Sequence, residues 1–168
     1  FACGFFGAEN EYLRKWTGQS WVPLPGALNA GARSLCVFQP KGKDPQLIVA
    51  GSFSNAAGVS NTKYIAAWNG SGWSALGTGM NNPVSDLAVL SFGNEGSQLF
   101  AVGGFTIAGD VPAHRIARWD GTQWHAVGDA DFDHEVWDVI EFDDGQGGGP
   151  TLYCAGEFSQ YGSTVVNH

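Results

Sequence analysis

RWDGTQW, residues 118–124, carries two tryptophans five positions apart, with Asp120-Gly121 between them. Nearly the same arrangement stands at Trp68-Asn69-Gly70-Ser71-Gly72-Trp73 and at Trp16-Thr17-Gly18-Gln19-Ser20-Trp21. Asn-Gly and Asp-Gly are the preferred dipeptides of a two-residue type I′ hairpin, which needs positive φ at both central residues. Such a turn pairs Trp68 with Ser71 and places Trp73 opposite Ala66. Strand alternation then sets both indoles on one face, with a small residue across the ladder making room. A tryptophan buries up to about 250 Å², so at about 25 cal/mol per Å² each contributes very roughly 4–6 kcal/mol as an upper bound. The expected role of the pair is structural: it welds one small sheet to the next. The first copy departs, with Arg14 and Lys15 where the second has Ala66 and Ala67, and with Thr17-Gly18 as a poorer turn dipeptide. That predicts a less buried edge.

The motif is one marker of a repeat. Trp16, Trp68 and Trp119 are spaced by 52 and 51 residues. Gly-x-Phe closes an apolar run four times, at Gly4/Phe6, Gly51/Phe53, Gly103/Phe105 and Gly156/Phe158, with spacings of 47, 52 and 53. A third marker is the apolar run SLCVF (34–38), DLAVL (86–90) and DVIEF (138–142). Three markers keeping one order and a period of about 51 residues identify a tandem repeat. Runs of four to seven residues rich in Val, Ile, Phe and Trp, separated by Gly, Asn, Asp and Pro, predict four strands per period. In the second period these are Ser34–Phe38, Leu47–Phe53, Tyr64–Trp68 and Trp73–Leu76. No window sustains a 3.6-residue apolar period, so helix is expected to be minor.

Composition agrees with an all-β chain. Of 168 residues 43% are apolar and only 14% charged, with 25 glycines, which suits short strands and tight turns and excludes a disordered chain. A net charge of −8 argues against a phosphate-binding, nucleic-acid surface. No stretch approaches the roughly 20 apolar residues of a membrane helix, so insertion into a bilayer is not expected. Cys3, Cys36 and Cys154 lie in apolar runs with neither disulfide-framework nor zinc spacing and read as small buried hydrophobes.

A glycine-bearing apolar strand, then a strand ending in Trp-Asp/Asn-Gly, then Trp-x-x-Leu/Val, resembles the kelch-like β-propeller repeat. The segments FDDGQGGGPTLYCAGEF (142–158), AVGGFTIAGDVPAHRIARWDGTQWHAVG (101–128) and IAAWNGSGWSALGTGMNNPV (65–84) carry the likeness over almost the whole chain. It looks closest to the repeats of large bacterial exported or cell-surface proteins, and is related to fungal cell-cortex polarity proteins. The resemblance implies four-stranded antiparallel blades, about three repeats over 1–168: the last three strands of one blade (1–24), full blades at 34–77 and 86–128, and the first two strands of a further blade (137–168). Propellers close with four to eight blades. An open fragment of a larger ring is therefore expected, with further blades in cis; a self-associating half-ring is the competing idea.

Chemistry-bearing clusters are few. The segment 128–145 holds eight of the sixteen acids, Asp129, Asp131, Asp133, Glu135, Asp138, Glu141, Asp143 and Asp144, with no Lys or Arg. Asp129-x-Asp131-x-Asp133 has the alternate-oxygen spacing of a Ca²⁺ loop, but the glycine and twelfth-position glutamate of an EF-hand are missing. A solvated acidic turn is the competing reading. Asp86 and Asp138 occupy one repeat position, with Ser34 in the first copy; there a carboxylate can satisfy loop N–H groups or supply half of a glycosidase-type pair. His114 and His168 are equivalent, while His125 and His134 stand elsewhere, and none has metal-ligand spacing with another. GQGGGP (145–150) lacks the lysine and helix of a phosphate loop. The sequence thus nominates no catalytic residue, no cofactor-binding residue, no cofactor and no metal ligand.

In an up-and-down blade, the loops between strands 2 and 3 and the connections between blades emerge on one side. Here those are 54–63, 106–115 and 159–168, with 77–85 and 128–136. Loops on a rigid scaffold carry binding. The expectation is a non-catalytic scaffold recognising a protein or glycan through that face, secreted or at the cell surface by resemblance. The alternative is the propeller part of an extracellular enzyme (oxidase, lyase or glycosidase) whose catalytic residues lie outside this segment. A purely architectural spacer is the third reading.

Overall fold

The computed structural model describes residues 1–4, 12–24, 28–91, 96–128 and 131–166. Phe6, Asp129 and His168, each named above, lie outside the described residues. Among the described residues there is no helix, and every strand pair is antiparallel. The first sheet holds β1 (Ala2–Cys3), β2 (Leu13–Trp16) and β3 (Trp21–Pro23). The second runs in chain order through β4 (Ala32–Phe38), β5 (Gln46–Gly51), β6 (Ile65–Trp68) and β7 (Trp73–Ser74). The third repeats that order with β8 (Val84–Ser91), β9 (Ser97–Gly103), β12 (Ile116–Trp119) and β13 (Trp124–Ala126); β10 (Ile107–Ala108) and β11 (Val111–Pro112) form a separate two-stranded ribbon in the loop between β9 and β12. β14 (Val136–Phe142) pairs with β15 (Thr151–Gly156), and β16 (Gln160–Tyr161) with β17 (Thr164–Val165).

Alternation assigns each sheet two apolar faces. The second sheet turns Leu35, Leu47, Val49, Ala66, Trp68 and Trp73 toward Cys3, Leu13 and Leu24 of the first. Its other face, with Cys36, Phe38, Ile48, Ala50 and Ala67, meets Leu87, Leu99, Ala101, Ala117, Trp119 and Trp124 of the third. The third in turn places Ala88, Val102 and Ile116 against Val139, Leu152 and Cys154 of β14–β15. Sheets covered on both faces explain why β5 and β9 are almost continuously buried, against the half-buried alternation of a one-sided sheet. Hereafter the face toward the preceding sheet is called upstream, the other downstream.

The hairpin register differs from expectation. Trp68 pairs directly with Trp73, Trp119 with Trp124 and Trp16 with Trp21, so Ser71 and Ala66 are not the cross-strand partners. The glycine follows rather than ends the turn's first half: Gly70, Gly121 and Gly18 have φ near +100° at the first central position, and the residue after each has no positive φ. That is the II′ arrangement. Its cause is the preceding side chain. The Asn69 Oδ1 accepts the N–H groups of Ser71 and Gly72, the Asp120 Oδ1 those of Thr122 and Gln123, and the Thr17 Oγ1 those of Gln19 and Ser20. Side-chain closure fixes Asn, Asp or Thr at the first corner. Thr17-Gly18 adopts the same turn as the other two. The indoles still share a face, stacked on each other with centroids 5.3–5.5 Å apart and planes tilted 51–54°.

Strand limits shift by a few residues for stated reasons. β6 starts at Ile65 because Tyr64 has φ 67°, and β7 stops at Ser74. The Leu76 carbonyl instead accepts the Trp124 Nε1–H of the third sheet at 3.0 Å. The Gly-x-Phe glycine is explained by close approach: a Cβ at Gly51, Gly103 or Gly156 would lie 2.2–2.4 Å from the carbonyl oxygen of Gly31, Pro83 or Glu135. Phe53 and Phe105 are fully buried two residues on.

Candidate functional site

The loops that the sequence nominates are brought together. Isolated bridges Leu28–Ala56, Met80–Ala108 and Phe132–Tyr161 tie each inter-sheet connection to the following loop between strands 2 and 3. A polar clamp repeats beside each bridge. The Asn29 Oδ1 accepts the N–H groups of Ser54 and Asn55 at 2.9 and 3.0 Å, and its amide donates to the Ser54 hydroxyl at 2.8 Å. Asn81 does the same with Thr106 and Ile107. Asp133 accepts from Ser159 and Gln160 at 2.8 and 3.0 Å, but having no donor it also accepts the Ser159 hydroxyl proton, at 2.6 Å. The hydroxyl simply reverses direction. Sequence reading missed this clamp, although Asn29, Asn81 and Asp133 keep a 52-residue spacing that was there to be read.

The clamp occupies Asp133. Its carboxylate is taken up by backbone and hydroxyl donors, with the Ser159 hydroxyl foremost, and these hold it well below the usual carboxylate range against desolvation. Asp131 turns elsewhere, to Arg115 Nη1 at 2.6 Å and His114 Nδ1 at 3.5 Å; Arg115 also donates to the Phe132 carbonyl. Among the described residues no group of three His, Cys, Asp or Glu side chains is placed to hold a metal ion. Among the described residues the other histidines pair locally, His125 with Asp120 at 2.7 Å and His134 with Asp133 at 3.4 Å.

Asp86 and Asp138 are brought together, at the joint between the first strands of successive sheets. Each of those strands carries an irregularity in its register, between Ala32 and Ser34, Val84 and Asp86, and Val136 and Asp138. Bulges re-aim side chains. The Ser34 hydroxyl donates to Asp86 Oδ1 at 2.7 Å, and Asp86 Oδ2 accepts the Val139 N–H at 3.1 Å. Asp86 therefore satisfies a backbone group of the next sheet, not of its own loop as expected. Its hydrogen bond to Asp138, together with desolvation and like charge, raises the Asp138 carboxyl above the ordinary range. Burial and the nearby Asp86 push the Cys36 thiol up to about 12, and burial and Asp138 push Cys154 up to about 11. Neither thiol is nucleophilic near neutral pH. Beside this row Ser85 donates to Glu135 at 2.6 Å, and Arg33 lies 3.7 Å from the same carboxylate. The arrangement knits sheet to sheet.

Clefts open between successive sheets. One of about 530 Å³ is lined by Leu90, Phe100, Arg118, Val127 and Leu152, between the third sheet and β14–β15. Another of about 550 Å³, lined by Val22, Leu24, Val37, Leu47 and Trp68, lies between the first and second sheets. Neither is lined by Asp86 or Asp138. No family model, curated protein or solved structure matches the chain.

Proposed function

We propose that the chain is part of a kelch-like β-propeller, its four-stranded sheets being successive blades, and that it serves as a non-catalytic scaffold of a secreted or cell-surface protein. It recognises a protein or a glycan through the face formed by the inter-sheet connections and the loops between strands 2 and 3. The observation that carries this reading is the threefold clamp. Asn29, Asn81 and Asp133 hold the loop backbones in one geometry, while the exposed side chains beyond them differ: Ser60 and Lys63 in one loop, Asp110 and Pro112 in the next, Ser163 and Thr164 in the last. A fixed frame with variable tips is a recognition surface. The order of strands within each sheet and the stacking of upstream on downstream faces support the propeller reading.

An enzymatic reading finds its best footing in the Asp86–Asp138 pair, but those carboxyls serve a joint and neither reaches a described cleft. The test is selection on glycan and extracellular-protein arrays with the immobilised chain. Alanine at Lys63 and Asp110 with Ser163→Trp should abolish capture of a selected ligand, whereas changes at Gln19, Ser71 and Thr122 on the hairpin end should leave it intact. Loss on the hairpin end alone, or no selective ligand at all, sinks the reading and leaves the spacer.

A further inference from the structure

The three hairpin corners share one geometry but not one chemistry. Thr17, Asn69 and Asp120 each close their turn with a side-chain oxygen, and of the three only Asn69 carries an amide. Its Oδ1 accepts the Ser71 N–H at 2.9 Å, the Gly72 N–H at 2.9 Å and the Ser71 hydroxyl at 3.0 Å. Three donors on one amide oxygen draw electron density away from Cγ. They also stand where negative charge would gather if Cγ were attacked, which is the arrangement of an oxyanion hole.

A nucleophile stands beside that carbon in the chain. The next residue is Gly70, at φ +100°, and a Cβ built on it would meet nothing within 4 Å. Neither a side chain of its own nor a neighbouring segment crowds the Gly70 nitrogen. The corner's backbone hydrogen bond runs from the Asn69 N–H to the Gly72 carbonyl at 3.2 Å and does not use the Gly70 N–H. Asn69, Gly70 and Ser71 are all exposed, so water reaches the turn. The other hydrogen-bonded asparagines differ. Asn29 and Asn81 commit both oxygen and amide to the loop clamp, Asn55 commits both within its own loop, and none of the three precedes a glycine.

We propose that Asn69-Gly70 is a self-modification site, where the folded hairpin converts Asn69 to aspartate and isoaspartate without an enzyme. The Gly70 nitrogen adds to Asn69 Cγ and gives up its proton. The Cγ–Nδ2 bond breaks, and Nδ2 leaves as ammonia with that proton, closing a five-membered succinimide. Water then opens the ring at either carbonyl. Opening at the carbonyl bonded to Cβ gives aspartate; opening at the one bonded to Cα gives isoaspartate, whose main chain runs through the side-chain carbons. The two products differ in consequence. Aspartate keeps the closing oxygen, as Asp120 does one repeat later. Isoaspartate inserts a methylene between Trp68 and Trp73, which face each other across the ladder, so their register is lost. The conversion depends on this hairpin alone, whatever the loop face binds.

The test holds the full chain at mildly alkaline pH, folded in buffer and, in parallel, unfolded in urea. Residue 69 is followed by peptide mass spectrometry and by an isoaspartyl methyltransferase assay. The folded chain should accumulate both products at residue 69 while Asn29, Asn55 and Asn81 persist. Ser71→Ala removes the hydroxyl donor and keeps the two N–H groups. It should slow conversion in the folded chain about fivefold, the worth of one hydrogen bond, and leave the unfolded rate unchanged. Melting temperature should fall with isoaspartate content, whereas Asn69→Asp should melt like fresh wild type. Asn69 that survives in the folded chain after the unfolded chain has converted overturns the proposal. A Ser71→Ala variant that converts at the wild-type rate when folded, or is slowed equally in both states, also overturns it.

Discussion

Trp124→Ala is the perturbation that bears most directly on how the sheets hold together. Trp124 is 4% exposed and its Nε1–H donates to the Leu76 carbonyl across the joint. Truncating a buried tryptophan costs about 3–5 kcal/mol, and the lost hydrogen bond accounts for about 1 kcal/mol of that range. For a chain of this length each kcal/mol moves the melting midpoint by about 2–4 °C, so a fall of roughly 6–20 °C is expected. Trp21 is its repeat equivalent but is half exposed and leaves no closed cavity, so Trp21→Ala should cost only about 1–2 kcal/mol. Trp124→Phe loses the hydrogen bond and part of the ring volume but keeps an aromatic in the joint, so its cost should fall between those of Trp124→Ala and wild type. The assay is thermal unfolding by circular dichroism at a dilution where the chain is monomeric. If Trp124→Ala and Trp21→Ala melted within about 2 °C of each other, the seating of each indole pair on the preceding sheet would be wrong.

Other outcomes follow from the same contacts. Gly103→Ala drives a Cβ to 2.4 Å from the Pro83 carbonyl and should lower the urea midpoint far more than Gly104→Ala, whose Cβ meets only a glutamate side chain at 3.7 Å. Asn81→Asp should be nearly neutral because Thr106 can reverse its hydroxyl as Ser159 does, whereas Asn81→Ala orphans two N–H groups and should cost about 1 kcal/mol in chemical denaturation. Asp120 is depressed: burial alone would raise it, but hydrogen bonds from His125, Thr122 and Gln123 prevail. Its stabilising effect is thus complete above the ordinary carboxylate range and is lost as pH falls, so Asp120→Asn should flatten the acid limb of a melting-temperature profile. Asp138 is raised, so its effect is present at low pH and lost as pH rises through the raised value; Asp138→Asn, which donates to Asp86 without titrating, should remove that decline.

The sheets were legible because their causes are local and repeated. Gly51, Gly103 and Gly156 mark where a backbone crosses within van der Waals reach of the next strand, and an apolar run with a fixed neighbour at a fixed spacing needs no tertiary knowledge to find. The turn register was misread because dipeptide preference treats Asn69 as a central residue, while its side chain acts as the closing acceptor one position earlier. The loop clamp escaped because Asn29, Asn81 and Asp133 sit in unlike surroundings, and their partners lie 25 or more residues away. The pairing of Asp86 with Asp138 was noticed as a shared position; that it binds a neighbouring backbone was not, since only the stacked sheets bring Val139 within reach.

The carbonyl of Leu76 that receives the Trp124 indole belongs to residues synthesised 48 positions earlier. The third sheet thus emerges from the ribosome after the segment that receives its indole has been laid down. These contacts allow assembly to proceed one sheet at a time as translation does. A ribosome paused after one period would hold a nascent chain whose newest indoles are already shielded, so exposed tryptophan would not accumulate as the chain lengthens.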